Sequence, residues 1–121
     1  MILLDTNIFI YIAAGKLERQ VVASYDIAHA SIAIIEALGF PDIQANEHLI
    51  LKSLFEESYS IALSDSIIER AIMLRQLKKM SLGDVIVAAT ALENDLALWT
   101  ANIKDFQHIE GLTLIDPTRQ Q

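Results

Sequence analysis

The sequence predicts an α/β protein in which a central parallel sheet of about five strands lies between two layers of helices, an α/β/α sandwich. Strand-like and helix-like segments alternate about five times along the 121 residues, which is typical of a parallel sheet. Hydrophobic residues make up 53% of the chain, enough for apolar layers on both faces of a sheet. With only four glycines and two prolines, a disordered or collagen-like chain is excluded.

The first half of the chain supplies two predicted strands and three helices. Residues 2–4 form a continuous apolar run, as expected of a central strand buried on both faces. The polar residues 5–7 then start a short helix that Gly15 ends. Residues 16–24 predict a second short helix, residues 26–31 a strand, and residues 31–40 a helix ended by Gly39.

The second half continues the alternation. Residues 47–57 have helical spacing and residues 59–64 follow as a strand. Residues 64–79 predict a helix opened by a capping box from Ser66 to Glu69, and residues 81–95 predict a very apolar helix. Residues 96–101 and 112–116 are the last two predicted strands, with a loop or single turn between them.

Composition bounds the domain count and the compartment. The length fits one domain over residues 1–117, followed by a short flexible tail over residues 118–121. The chain has no cysteine, which excludes disulfides and thiolate metal sites and suits a reducing compartment. The first strand begins too early for a signal peptide, and no uncharged apolar run approaches the ~20 residues that span a bilayer. We therefore expect a soluble, cytoplasmic protein without a membrane partner.

Four acidic residues are predicted to meet at one edge of the sheet. Asp5 and Asp105 follow predicted strands, Asp84 lies in the first turn of a helix, and Glu36 lies in the helix after the second strand. Ligands of open parallel sheets bind at the carboxyl ends of the strands. Apolar sequence neighbours suggest that Asp5, Glu36 and Asp84 lie in apolar surroundings.

Each acid also has a simpler interpretation. Asp5 could cap the next helix, and Asp84 could be an N-terminal residue favoured by the helix dipole. Glu36 could lie on a solvated helix edge, and Asp105 could be an ordinary turn residue. Their shared position is the stronger observation, and it depends on the predicted strands and helices.

Four clustered carboxylates imply a cation. Two carboxylates roughly 5 Å apart repel by about 3 kcal/mol at an effective dielectric of 20. A divalent ion removes this penalty, and all-oxygen ligands favour Mg²⁺ or Mn²⁺. The net charge of −7 argues against a nucleic-acid ligand, unless a bound cation makes the key contact with phosphate.

Four segments together resemble the PIN-domain family, and most closely the small VapC-type toxins of toxin–antitoxin pairs. They are "LLDTNIFIY", "IIEALGF", "SLGDVIVAATAL" and "WTANIKDF…GLTLIDP", and the resemblance runs from Ile2 to Pro117. "LDTN" alone is a weak pattern, but the four in this order are highly specific. The resemblance implies a parallel sheet in an α/β/α sandwich and a metal-dependent endoribonuclease that leaves 5′-phosphate and 3′-hydroxyl ends.

The resemblance also implies roles for individual residues. The family's four metal-binding acids match Asp5, Glu36, Asp84 and Asp105, which would hold Mg²⁺ or Mn²⁺. The supporting polar positions match Thr6, Asn7, Thr100 and Asn102. Two positions depart from the family pattern, because Ala33 stands where a hydroxyl is common and Ala101 where relatives often have Arg. Lys104 could contact RNA phosphate, or it could be a solvated loop lysine.

The same resemblance implies partners. The expected ones are an RNA substrate, a cognate antitoxin that wraps the toxin with an amphipathic helix, and a second copy in a homodimer. A chain of charge −7 suits a cationic antitoxin tail. The three histidines share no ligand spacing, so we expect surface or boundary positions for His29, His48 and His108.

Three other functions stay open at this point. One is a PIN-type nuclease that matures housekeeping RNA without a toxin role. A receiver-like signalling module is less favoured, because receivers have an acidic pair after strand one and a lysine after the fifth strand, and both are missing here. A non-catalytic binding protein is disfavoured because all four acids are present.

Overall fold

The computed structural model describes residues 1–119, and its core is a five-stranded sheet in which every neighbouring pair is parallel. The strands are β1 (Ile2–Leu4), β2 (Ile27–Ala30), β3 (Tyr59–Ile61), β4 (Leu98–Trp99) and β5 (Leu114–Ile115). Their order across the sheet is β3-β2-β1-β4-β5. The predicted parallel sheet of about five strands is therefore confirmed.

Within residues 1–119, five α-helices cover the two faces of the sheet. They are α1 (Thr6–Ala13), α2 (Ile32–Leu38), α3 (Ala45–Glu56), α4 (Asp65–Leu77) and α5 (Leu82–Glu93). Helices α1, α2 and α3 pack with Ile2, Leu4 and Trp99 in one apolar cluster. Helices α4 and α5 pack with Leu3 and Leu98 in the other. Successive strand residues point to opposite faces, so the unbroken apolar run of β1 contributes to both layers.

Three short 3₁₀ helices complete the described chain. They span Arg19–Val22, Ile103–Asp105 and Pro117–Arg119. The first lies within the second predicted helix but is tighter and shorter than predicted. The third begins the expected tail, while Gln120 and Gln121 lie outside the described residues, so the flexible tail stays a prediction.

The predicted capping box at the start of α4 is wrong, because the capping serine lies two residues earlier than predicted. The helix is capped by Ser64, whose hydroxyl accepts a hydrogen bond from the Ile67 N–H at 3.3 Å. Ser66 lies inside the first turn, with its hydroxyl 3.1 Å from that of Ser64. Because two serines stand two residues apart, the sequence pattern alone did not decide which one precedes the helix.

His29 is also misplaced by the sequence analysis. Its side chain is only 1% exposed, in the middle of β2, rather than at the surface or a boundary. The ring meets the edges of Phe9 and Phe55, and Nδ1 lies 2.7 Å from the Ser58 hydroxyl. The buried imidazole is accommodated by contacts with two aromatic rings and by one hydrogen bond with a hydroxyl group.

The strand order creates a crevice beside β1. The chain passes from β1 outward to β2 and β3, then crosses to β4 and β5 on the other side of β1. Ligand sites of open α/β sheets form at the carboxyl ends of the strands where the order reverses. Here that point lies between the ends of β1 and β4, so Asp5 and Thr100 meet there. Within residues 1–119, every helix is too short or too polar to cross a membrane.

Candidate active site

Asp5 lies at the centre of the crevice, directly after β1. Its backbone N–H donates to the Trp99 carbonyl at 2.9 Å, which ties the end of β1 to the end of β4. The side chain is only 5% exposed. Oδ1 accepts the Thr6 backbone N–H at 2.8 Å, and Oδ2 accepts the Thr100 hydroxyl at 2.8 Å. Asp5 is thus the N-cap of α1 and also part of a polar network that reaches β4.

Asn7 and Thr100 complete that network. The Asn7 amide Nδ2 lies 3.2 Å from Asp5 Oδ2 and 3.5 Å from the Thr100 hydroxyl, while its Oδ1 accepts the Ala101 N–H at 3.3 Å. The Thr100 hydroxyl accepts the Asn102 N–H at 3.0 Å. The predicted supporting residues Asn7 and Thr100 therefore hold Asp5, whereas Asn102 contributes its backbone and has an exposed side chain.

Glu36 reaches the same crevice from α2. The Thr6 hydroxyl donates to Glu36 Oε1 at 2.6 Å, which links the carboxylate to the residue next to Asp5. Glu36 Oε2 lies against Gly83 in the first turn of α5, so closely that a methyl group at position 83 would overlap it. The residue is exposed, so the apolar surroundings predicted for Glu36 are wrong. Of the apolar residues four positions away, Ile32 is only half-buried and Phe40 is 60% exposed, so neither encloses Glu36.

Asp84 and Asp105 approach from two further elements. Asp84 is half-buried in the first turn of α5, where its backbone N–H donates to the capping Ser81 hydroxyl at 3.1 Å. Asp105 is exposed in the 3₁₀ helix after β4. Both residues line one shallow cavity with Lys104. Asp84 is thus near enough to interact electrostatically with each of the other three acids, Asp5, Glu36 and Asp105.

The electrostatics of the crevice show uncompensated negative charge. Burial is the main reason that the pKa of Asp5 is raised to about 6. Hydrogen bonds from Thr100 and Thr6 lower this pKa, and repulsion from the charges of Asp84 and Glu36 raises it further. Burial likewise raises the pKa of Asp84, and the charges of Asp105 and Glu36 add to the rise. In the described part of the chain, none of these four acids forms an ion pair.

The ligand atoms in the crevice fit a hard divalent cation. All are carboxylate oxygens, which Mg²⁺ and Mn²⁺ prefer. Among residues 1–119, no three acidic or histidine side chains are already close enough together to hold one ion. Mg²⁺ is usually bound through one or two carboxylates and keeps several waters, so a preassembled cage of three is not required. The buried, unpaired carboxylate of Asp5 is the feature that a cation would neutralise.

Several residues of the crevice were missed by the sequence analysis. Lys78 and Lys79 line the cavity beside Asp84, and Gly83 leaves room for Glu36. The pattern "SLGD" contains Gly83 and its capping serine, but only the fold shows which side chain approaches the glycine. The lysines lie between two helices, where sequence spacing says nothing about distance to the site.

Comparison with known proteins decides the family, although no family model matches the chain. A protein of Rickettsia felis named ribonuclease VapC1 is 29% identical over 94% of this chain and 94% of its own length. A protein of Methanocaldococcus jannaschii, also named ribonuclease VapC1, is 30% identical over 95% of this chain and 87% of its own length. The chain belongs to the VapC ribonuclease family.

The fold agrees with this assignment. A solved toxin–antitoxin complex from Klebsiella pneumoniae contains a chain that superposes with a TM-score of 0.81 and 30% identity, over 97% of this chain and 98% of that one. The predicted PIN-like fold and VapC family are therefore confirmed, and so is an enzyme of the nuclease class. The receiver-like and non-catalytic alternatives are set aside.

Proposed function

We propose that this VapC-family protein is a Mg²⁺- or Mn²⁺-dependent endoribonuclease and the toxin of a toxin–antitoxin pair, with Asp5, Glu36, Asp84 and Asp105 as its metal-binding and catalytic residues. The observation that carries the site assignment is the buried Asp5 carboxylate, which has no basic partner within residues 1–119 and feels the charges of Asp84 and Glu36. Desolvating an unpaired carboxylate is unfavourable, so such a group persists where a cation binds.

The surrounding residues fix the orientation of the acids. The Thr6 N–H, the Asn7 amide and the Thr100 hydroxyl occupy three acceptor positions of Asp5 and leave capacity for a ligand bond. The Thr6 hydroxyl fixes Oε1 of Glu36 by a hydrogen bond, and Oε2 of Glu36 would supply a bond to the metal ion. Lys104 lies in the same cavity as Asp84 and would bind a phosphate of the RNA.

A bound divalent ion lowers the pKa of a coordinated water and neutralises charge at the scissile phosphate. The four acids would position that ion at the end of β1, and it would also offset the repulsion between RNA and a chain of charge −7. We expect hydrolysis of the P–O3′ bond, with a 5′-phosphate on one product and a 3′-hydroxyl on the other.

The experiment is induced expression of wild type and of Asp5→Asn, with the 5′ ends of cellular RNA mapped in each culture. We expect growth arrest and discrete new ends from the wild type only. Purified wild type should cleave RNA with Mg²⁺ or Mn²⁺ and lose activity in EDTA. Equal numbers of new ends from both proteins would refute the catalytic role of Asp5. New RNA ends without growth arrest would favour the housekeeping nuclease.

An exposed apolar groove between α1, α2 and α3 supports an antitoxin partner. Phe40, which lines this groove, is 60% exposed. An amphipathic helix lays its apolar face into such a groove. The similar Klebsiella pneumoniae chain comes from a toxin–antitoxin complex. The groove is lined by Ile10, Ala13, Ala37, Phe40, Ile43, Glu47 and Leu51.

A second apolar surface on α4 and the start of α5 supports a homodimer. Met73 and Leu77 are 62% and 80% exposed on α4, and Ile72 and Leu82 line a separate apolar groove of α4 and α5. This surface covers the opposite face of the sheet from the antitoxin groove, so both partners can bind at once. Exposed apolar patches of this kind mark protein interfaces.

A variant at each surface serves as the control for a variant at the other. Leu77→Asp should convert the dimer to monomers in sedimentation velocity while antitoxin still co-purifies. Phe40→Asp should abolish co-purification and growth rescue by the antitoxin, and the protein should remain dimeric. If Leu77→Asp stays dimeric, or Phe40→Asp still binds antitoxin at wild-type affinity, the corresponding surface is assigned wrongly.

A further inference from the structure

Three lysines lie at one edge of the proposed active site, although the chain carries a net charge of −7. Lys78 and Lys79 belong to the segment that joins α4 to α5, and Lys104 belongs to the 3₁₀ helix after β4. They line a single cavity of about 190 Å³. The cavity is completed by Met80, Ser81, Asp84, Asp105 and His108.

These lysines have no acidic partner in the described part of the chain. Arg19, Arg70 and Arg119 form ion pairs, with Glu57, Glu93 and Asp116 respectively, and Lys16 lies over the ring of Tyr11. Within residues 1–119, the three lysines of the cavity form neither an ion pair nor a contact of this kind with an aromatic ring. Three cationic side chains without an acidic partner therefore line one cavity, where they are available to an anionic ligand.

We propose that this cavity, lined by Lys78, Lys79 and Lys104, binds a backbone phosphate of the RNA adjacent to the scissile one. The proposal rests on the ribonuclease function proposed above. An anion in this cavity lies beside Asp84 and Asp105, and a cation held by those acids would attract a second anionic group of the same ligand. A nucleic-acid strand has that chemistry because each linkage contributes one phosphate.

The lysines predict a contact that is independent of base sequence. An ammonium group is a compact point charge that binds phosphate without the bidentate geometry of arginine. Phosphate contacts position a nucleic acid, whereas base contacts specify the sequence. Lys78 and Lys79 should therefore strengthen RNA binding and fix the path of the strand, and they should leave the chemical step unchanged.

The first test compares two double variants with the same change in charge. In Lys78→Gln/Lys79→Gln we expect the KM for a single-stranded RNA to rise about tenfold while kcat stays within twofold of wild type. The matched control, Lys16→Gln/Lys52→Gln, removes two charges from exposed positions elsewhere and should keep the wild-type KM. Equal KM values for the two double variants would overturn the proposal.

The second test measures binding without cleavage, by RNA anisotropy in an Asp5→Asn background. For single strands the slope of log K against log salt changes by about 0.7 for each phosphate contact, so loss of the one phosphate contact made by Lys78 and Lys79 should reduce the slope by up to about 0.7. An unchanged slope would contradict the contact. If the double variant instead weakens only antitoxin binding, the occupant is an acidic polypeptide and the proposal fails.

A third test locates the phosphate on the RNA. Neutral methylphosphonate linkages are placed one at a time around the cleavage site, and cleavage is measured for wild type and Lys78→Gln/Lys79→Gln. One position should raise the KM of wild type and leave that of the double variant unchanged. Equal effects on both proteins at every position would overturn the proposal. Wild type that cleaves none of the RNAs would instead refute the ribonuclease function itself.

Discussion

Asp5 is subject to opposing effects, because its hydrogen bonds stabilise the carboxylate while burial and neighbouring acids destabilise it. It caps α1 and receives hydrogen bonds from Thr6, Asn7 and Thr100, yet it is buried beside other acids. Burial raises its pKa to about 6 from the usual 3.8. Because each pKa unit corresponds to about 1.4 kcal/mol, keeping Asp5 ionised in the metal-free fold costs of the order of 2 to 3 kcal/mol at pH 7. A bound cation would remove that cost.

The first prediction is a pH dependence of stability that Asp5 produces in the metal-free protein. A carboxyl group whose pKa is raised by folding stabilises the fold fully below its unfolded pKa of 3.8, and this contribution is lost as pH rises through about 6. In EDTA, the unfolding free energy of wild type relative to Asp5→Asn should therefore fall between pH 4 and pH 7. Urea denaturation at each pH measures this difference.

Mg²⁺ should restore the stability that wild type loses at pH 7, and it should have no such effect on Asp5→Asn. At pH 7 it should raise the Tm of wild type and leave that of Asp5→Asn nearly unchanged. The matched control Asp26→Asn removes an exposed acid and should respond to Mg²⁺ like wild type. A difference between wild type and Asp5→Asn that does not vary with pH would contradict the raised pKa.

Asp5 was predictable at the level of single residues, because a charge directly after a wholly apolar strand needs a partner. Glu36 was predicted from its place in the helix after the second strand, although the apolar surroundings expected for it are wrong. Lys78 and Lys79 were not predictable, because their place beside the acids depends on how α4 and α5 pack rather than on any local pattern.

At the scale of elements, the first turn of α5 organises half of the site. Ser81 caps the helix, Gly83 contacts Glu36 Oε2, and Asp84 faces the acids. The sequence correctly placed this turn, because a serine before a long apolar segment is a strong helix start. It could not show that α2 crosses close to the glycine, since that approach is a property of the packed layers.

The second prediction concerns Gly83→Ala. Alanine is favoured over glycine inside a helix by roughly 0.5–1 kcal/mol, and the atom that its methyl group meets is the end of a flexible side chain. We therefore expect unchanged or slightly higher thermal stability, because Glu36 can move outward. Activity with Mg²⁺ should nevertheless fall at least tenfold, since Glu36 would no longer reach its position.

The double variant Gly83→Ala/Glu36→Ala tests the mechanism of that loss. If the methyl group acts only through Glu36, the double variant should be no less active than Glu36→Ala alone, a non-additivity expected for residues in contact. Full activity of Gly83→Ala, or additive losses in the double variant, would show that the contact between Gly83 and Glu36 is irrelevant to catalysis.

At the scale of the whole molecule, one sheet supports two apolar layers and places the acids at the point where the strand order reverses. The alternation of segments in the sequence predicted this architecture, because parallel sheets require long connections between neighbouring strands. His29 departs from the expected pattern of β2, since an imidazole occupies a position that the pleat directs into the core. Its Nε2 is buried without a hydrogen-bond partner in the described structure.

The third prediction is that His29 makes the fold sensitive to acid. Burial lowers the pKa of His29 below its usual 6.5, so the fold favours the neutral ring. A histidine of this kind contributes its full stability above pH 6.5, and the contribution is lost as pH falls through the lowered pKa. This trend is opposite in sign to that of Asp5, so the two must be separated by paired variants.

His29→Phe replaces the imidazole with a ring that suits the neighbouring Phe9 and Phe55 and cannot be protonated. Between pH 7 and pH 5, its unfolding free energy should rise relative to wild type by at most about 1.4 kcal/mol per pH unit. Urea denaturation of both proteins across this range measures the effect, with exposed His108→Gln as the control that should track wild type. Parallel pH profiles for wild type and His29→Phe would mean that the core tolerates the protonated ring. Asp5 and Asp84 could not explain a loss of stability in acid, because their raised pKa values make the fold more stable as pH falls.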